Sequence, residues 1–152
     1  MMEIIYVFII SIFPFIELRG SIPLGIYWGL NPWVVLIAAI LGNMLPVPFI
    51  LLFLEVMENY LRRYERIARA MDWIFERTYK KANKKVRRWE YLALIFFVAI
   101  PLPGTGAWTG SLIAYLFKFN IKKAFIAIFI GVVIAGGVVL AVTVGALNYV
   151  IP

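Results

Sequence analysis

Apolar residues gather into four stretches along the chain: Ile4 to Trp28, Trp33 to Leu54, Leu92 to Phe119 and Ala124 to Ile151. Between the second and third lies one polar island, residues 55–90. The second and fourth stretches are uninterrupted and long enough to cross a hydrocarbon core of about 30 Å at 1.5 Å per residue. The first and third are broken in the middle, by Pro14 to Gly20 and by PLPGTG, Pro101 to Gly106. Proline removes backbone donors and pushes the residue before it out of the helical region, and glycine admits unusual dihedrals. Each arm is then too short to cross: Leu92 to Ile100 covers only about 14 Å as a helix. The pattern predicts two re-entrant helical hairpins whose tips are shaped by Pro14 and Pro23 in one, Pro101 and Pro103 in the other. The return arm of the first is expected over Ser21 to Trp28.

The two halves share their punctuation. Sliding the chain by 89 residues pairs Phe8 with Phe97, Pro14 with Pro103, Asn31 with Asn120, Ala38 with Ala127 and Gly42 with Gly131. The expected fold is therefore an all-α membrane protein with one membrane domain, 1–152. It is an inverted repeat of re-entrant hairpin plus transmembrane helix, with repeat one at 1–54, a basic amphipathic linker at 55–90 and repeat two at 91–152. Broken helices in such repeats meet near the bilayer midplane and build the substrate site. Freed backbone is tolerated there only when buried in protein or lining a wet cavity, so the two tips are expected to face each other.

Charge sets the sidedness. The chain carries a net +7, and the island alone holds eleven Lys and Arg against six Asp and Glu. By the positive-inside rule the island is cytoplasmic. Lys118, Lys122 and Lys123 form a second basic cluster, which sits on the same side only if the third stretch dips in and returns. A multi-pass protein of the cell membrane follows, with both termini outside. The N-terminus has Glu3 where a signal peptide carries Lys or Arg, so it is kept as structure. Apolar positions from Met57 through Leu61, Tyr64, Ala68, Met71, Phe75 and Ala82 to Trp89 predict amphipathic helices, lying flat on the inner membrane surface or pairing between copies. Interleaved acids argue against a nucleic-acid partner. Two spans and two half-depth hairpins enclose little space, so a homo-oligomer, at least a dimer, is expected.

The chain is 64% hydrophobic, with a mean hydropathy of +0.93, and has neither cysteine nor histidine. Disulfides, thiol chemistry and imidazole acid–base catalysis are excluded, and nothing suggests a metal, a cofactor or an enzyme. Against that background Glu17 and Arg19 stand out, because a charge at the bilayer centre costs about 2.5 to 3.5 kcal/mol. One reading is that they neutralise each other and plug the tip. The other is an anion site, in which the planar fork of Arg19 binds a phosphate or carboxylate. Return arms starting near Gly20-Ser21 and Gly106-Ala107 would aim free N–H groups at the same point. Gly104, Thr105, Thr109, Ser111 and Asn43 complete the candidate binding set. Glu17 then either holds Arg19 or carries a coupling proton. Pro46 and Pro48 are expected to kink the first spanning helix, Trp28, Trp33 and Trp108 to anchor or pack, and Gly131, Gly136, Gly137 and Gly145 to form one small-residue packing face.

With FPFIELRGSIPLG (13–25) and PLPGTGAWTGSL (101–112) in view, the chain resembles the putative small multidrug export protein family, itself similar to the DedA superfamily of membrane proteins. The superfamily resemblance implies two opposed re-entrant hairpins and the recycling of polyprenyl-phosphate carriers, powered by an ion gradient. DedA-like proteins carry more than one embedded arginine and a further acid, whereas here Arg19 and Glu17 alone match. The export resemblance implies drug efflux, and many drugs are cations, which Arg19 would repel in a low-dielectric pocket. The expected function is a small secondary transporter or lipid flippase for an anionic substrate, with membrane lipids and a lipid phosphate as partners. A proton-coupled drug exporter and a non-transporting scaffold are the alternatives.

Overall fold

A computed structural model describes residues 2–66, 68–70, 72, 73, 76, 89–102 and 104–150. Among them there are helices and connections but no strand: α1 (Met2–Ile12), α2 (Glu17–Tyr27), α3 (Pro32–Met44), α4 (Pro46–Leu61), α5 (Glu90–Ala99), α6 (Ala107–Leu116) and α7 (Ile121–Val150). Among the described residues two segments are long and apolar enough to cross a bilayer: Pro32–Tyr60 and Ile121–Leu147. The first is α3 running on into α4. Helical assignment lapses only at Leu45, where Pro46 and Pro48 cannot donate to the carbonyls of Gly42 and Met44. Of the expected kink only this loss of hydrogen bonds is seen, and Leu45 keeps helical dihedrals at φ −56° and ψ −47°.

Both broken stretches separate into two short helices each, α1 with α2 and α5 with α6, but the first break differs from its expectation. The connection is Phe13 to Ile16, and α2 begins at Glu17 rather than at Ser21. Gly20 and Ser21 thus lie within the helix, with the Gly20 N–H bonded to Ile16 O at 3.1 Å. Pro23 also belongs to the helix interior and not to the tip. Its missing N–H removes one internal bond, which the surrounding helices tolerate as they do in other membrane helices. Pro14 and Pro101 lie exposed at the breaks, while Pro103 is outside the described residues.

The two return arms end alike. At the end of α2, Leu30 N–H bonds Gly25 O and Gly29 N–H bonds Ile26 O; at the end of α6, Phe119 N–H bonds Ala114 O and Lys118 N–H bonds Tyr115 O. Both are Schellman motifs, whose pivot takes a left-handed conformation. The pivots are Gly29 at φ 74° and Lys118 at φ 52°, 89 positions apart. Asn31 and Asn120 then accept from the Trp33 and Lys123 N–H groups at 3.0 and 3.2 Å and start the next helices.

Packing repeats the same scheme. α1 lies on α3 and α5 on α7, while α2 touches α7 and α6 touches α4, so each return arm meets the long helix of the other half. Gly42 lets Phe8 and Ser11 approach α3: a Cβ there would overlap the Phe8 carbonyl and lie 2.9 Å from Ser11 Cβ. Gly131 does the same for α5, 2.9 Å from Ile95 O and 2.7 Å from Val98 Cβ. The expected single glycine face is in fact two. Gly131 and Gly136 face inward, whereas Gly137 and Gly145 have open space around them.

Between the helices runs a core of Val7, Leu18, Ile22, Val35, Val98, Ile128 and Val132. Outside it, Phe15, Trp33, Phe49, Phe53, Phe96 and Val142 are exposed. So much outward apolar surface suits lipid and not water, and the chain is a membrane protein. In the linker, residues 65, 66, 68–70, 72, 73 and 76 are helical; of the expected amphipathic stripe, Met71, Phe75 and Ala82 lie outside the described residues.

Candidate functional site

The two breaks meet. The indole Nε1 of Trp108, early in α6, donates to Ile12 O at the end of α1 at 3.0 Å. Arg19 reaches back across the same junction, Nη2 donating to Thr105 Oγ1 at 3.0 Å. Glu17 completes the contact. A Cβ on Gly106 would overlap its carboxyl oxygens and stand 2.6 Å from its Cδ.

Local chain chemistry explains the placement. Glu17 takes the left-handed region at φ 48°, which non-glycine residues seldom adopt and which costs energy that the surroundings must offset. Here the offset is the start of α6, where backbone N–H groups and the positive end of the helix dipole favour an acid. Glu17 N–H closes the break by bonding Phe13 O at 3.0 Å. Thr105 organises the other break, its single hydroxyl proton shared between Ile100 O at 2.6 Å and Leu102 O at 2.8 Å while the oxygen accepts from Arg19.

Glu17 and Arg19 are 4.0 Å apart, their side chains 6% and 20% exposed. The arginine is therefore held from two sides and still reachable. A guanidinium has five N–H donors, and among the described residues only Nη2 is engaged. Among the described residues nothing takes up the other donors, which leaves them for an acceptor outside the protein.

The expected binding set divides. Glu17, Arg19, Thr105 and Gly106 come together; Gly104, at φ 85°, is exposed beside them, and Thr109 is half-buried one turn into α6. Gly20 and Ser21 do not offer free N–H groups, because helix α2 starts before them. Ser21 instead hydrogen-bonds Ser11 through the hydroxyls, both fully buried. Ser111 turns back to Ala107 O at 2.6 Å. Nor is the start of α6 open to a ligand as expected, since Glu17 occupies it. Asn43 is 1% exposed, and its Oδ1 has no hydrogen-bond partner among the described residues.

Sequence reasoning passed over Trp108 as a cross-break bond and Ser11 as the partner of Ser21. It also passed over a second polar cluster, at the far end of α4. There Glu58 accepts from the Tyr115 hydroxyl and from Arg62 Nε at 2.8 Å, with Lys118 Nζ at 3.9 Å. Two acids, Glu55 and Glu58, at the end of an apolar helix, the second four residues before an arginine, were the available signal.

No curated protein and no solved structure matches the chain. A family model does, over residues 17–138, a span that starts at the acid of the first break, takes in the second and ends inside α7. The chain belongs to that family, described as "Putative small multi-drug export protein".

Proposed function

We propose that the protein is a small secondary transporter or lipid flippase that moves an anionic lipid-phosphate substrate by alternating access, with Arg19 holding the head group. One observation carries the reading: a guanidinium fixed between two helix breaks by Thr105 and Glu17, with donors left over. Membrane arginines that serve only structure are expected to spend their donors on the protein. A phosphate would take the remaining fork. The hydrocarbon part of such a substrate has a place as well. Phe49, Ile50, Phe53 and Val56 of α4 line a furrow of about 560 Å³ that leads to Trp108 at the junction.

The matching caps, the matching close-approach glycines and the crossed packing of the return arms support an inverted repeat of two re-entrant hairpins, as in the DedA superfamily. Opposite entry of the two hairpins would expose Arg19 to each face in turn. In this arrangement the 55–90 linker is cytoplasmic, both termini are outside, and a second copy supplies the remaining wall of the pathway. Glu17 couples the cycle by exchanging a proton as the junction opens. The chain performs no covalent chemistry on its substrate.

Transport of a fluorescent polyprenyl or acyl phosphate into proteoliposomes tests this. Arg19→Ala is expected to abolish it, and Arg19→Lys to reduce it at least about tenfold, because an ammonium lacks the planar fork. Parent rates in both variants would overturn the anion site.

The family description favours a second reading, export of lipophilic cations in exchange for protons at buried Glu17. Proton release on adding a lipophilic cation, lost in Glu17→Gln, would establish it in place of the first. The proximity of Arg19 to that carboxyl group is the argument against.

A further inference from the structure

We propose that Glu58 is the latch of a gate: it closes the end of α6 over a cavity beside α4, and its release opens a route from that face to Arg19. The inference rests on the alternating-access reading above. The cavity, about 260 Å³, lies between Leu51, Glu55 and Glu58 on α4 and Ala114, Tyr115 and Lys118 at the end of α6; of the two acids Glu58 is the one bonded to Tyr115. Glu58 spans it, its side chain 13% exposed, accepting from Tyr115 on one side and paired with Arg62 on its own. Arg62 is braced in turn by Asp72, at 2.9 Å.

Helix α6 is thus held at both ends by an acid from another helix, α2 at its start and α4 at its end. Glu17 holds its start, and Glu58 holds its end through Tyr115 and Lys118. Between those ends it packs along α4. From Tyr115 back to Thr105 the seam runs about 15 Å at helical rise, so the cavity and the arginine are the two ends of one short path. Ser111, fully buried, lies one turn deeper than Ala114 and Tyr115 and marks the closed part of that path.

Lys118 supplies the independent sign. It is the pivot of the Schellman motif and sits at φ 52°, where glycine is favoured; its counterpart 89 positions earlier is Gly29. A lysine there serves the cap worse than glycine would, yet its Nζ reaches Glu58. Glu17 and Lys118 are the two non-glycine residues with positive φ among the described residues, and each ties α6 to another helix.

Because the chain lacks cysteine, Ser111→Cys introduces a unique thiol. In proteoliposomes of each orientation, its rate of labelling by a membrane-impermeant maleimide is measured alone and combined with Glu58→Gln, Tyr115→Phe or Lys118→Gly. Labelling is expected to be slow in the single variant. It should rise roughly five- to tenfold in the combinations, from the face bearing residues 55–90 only, as loss of a charge-assisted bond shifts the closed population. Lys118→Gly preserves the cap geometry, so it keeps the test informative should Glu58→Gln fold poorly. Unchanged rates in all combinations, or an equal rise from both faces, would overturn the latch. No substrate is needed, so the latch can fail while Arg19 stands, and the reverse.

Discussion

The Glu17 carboxyl group occupies the space that any side chain at position 106 would need, 2.6 Å from where a Gly106 Cβ would stand. One residue in the first break and one in the second are therefore fitted to each other, and the absence of a side chain at Gly106 is what lets an acid reach the start of α6. Gly106 itself has extended backbone, φ −179°, open to any residue, so the requirement is space alone.

Gly106→Ala should consequently destabilise the protein by about 1 to 3 kcal/mol, the usual cost of overfilling a packed site. In a Glu17→Ala background the same substitution should cost much less, since the clashing group is gone. Thermal unfolding in detergent of the two single variants and the double gives the coupling directly. Additive losses would show that the two residues do not share the space.

Trp108→Phe keeps the aromatic bulk and removes the Nε1 bond to Ile12 O. A stability loss of about 1 kcal/mol is expected for a neutral hydrogen bond of this kind. Trp33→Phe is the control, because Trp33 is 69% exposed. Surface substitutions of that sort stay within about 0.5 kcal/mol. Unfolding midpoints of the two variants should separate accordingly.

The glycines of α7 divide by what surrounds them. Gly131→Ala should destabilise by about 1 to 3 kcal/mol, because α5 lies against it through Ile95 O and Val98. Gly137→Ala and Gly145→Ala meet nothing within 4 Å. In a helix they should be neutral or gain up to about 1 kcal/mol from better propensity. Unfolding measured on all three in the same detergent checks the contrast.

Much of this architecture was legible in advance because proline and glycine punctuate an apolar chain strongly. The breaks, the two long helices and the meeting of Arg19 with PLPGTG follow from dihedral restrictions and from the cost of charge in lipid, both local in sequence. Helix α2 starts four residues before the position the sequence pattern predicts. Glu17 enters the helix from a left-handed conformation stabilised by contacts to α6, and that long-range contact leaves no trace in neighbouring residues. Glycine roles failed for the same reason: Gly136 and Gly137 are adjacent, and only the packing of α3 against α7 tells them apart. Glu58 falls in the charged island by sequence, yet α4 runs unbroken to Leu61 and brings its acid against the end of α6.

Asn43 poses the sharpest division between stability and activity. A buried amide oxygen without a partner costs about 1 to 3 kcal/mol relative to a satisfied one. Its counterpart 89 positions later, Val132, is equally buried and apolar. Were Asn43 there only for packing, a branched apolar side chain would serve better, as it does in the second half. Asn43→Val is therefore expected to raise the unfolding temperature and, if the amide serves the substrate or a water on its path, to lower lipid-phosphate transport in the same preparation. A higher midpoint with parent transport rates would remove Asn43 from the binding set. A lower midpoint would show that its oxygen is satisfied in the membrane by a group such as an ordered water, which titration of the variant with denaturant would register as a lost hydrogen bond of about 1 kcal/mol.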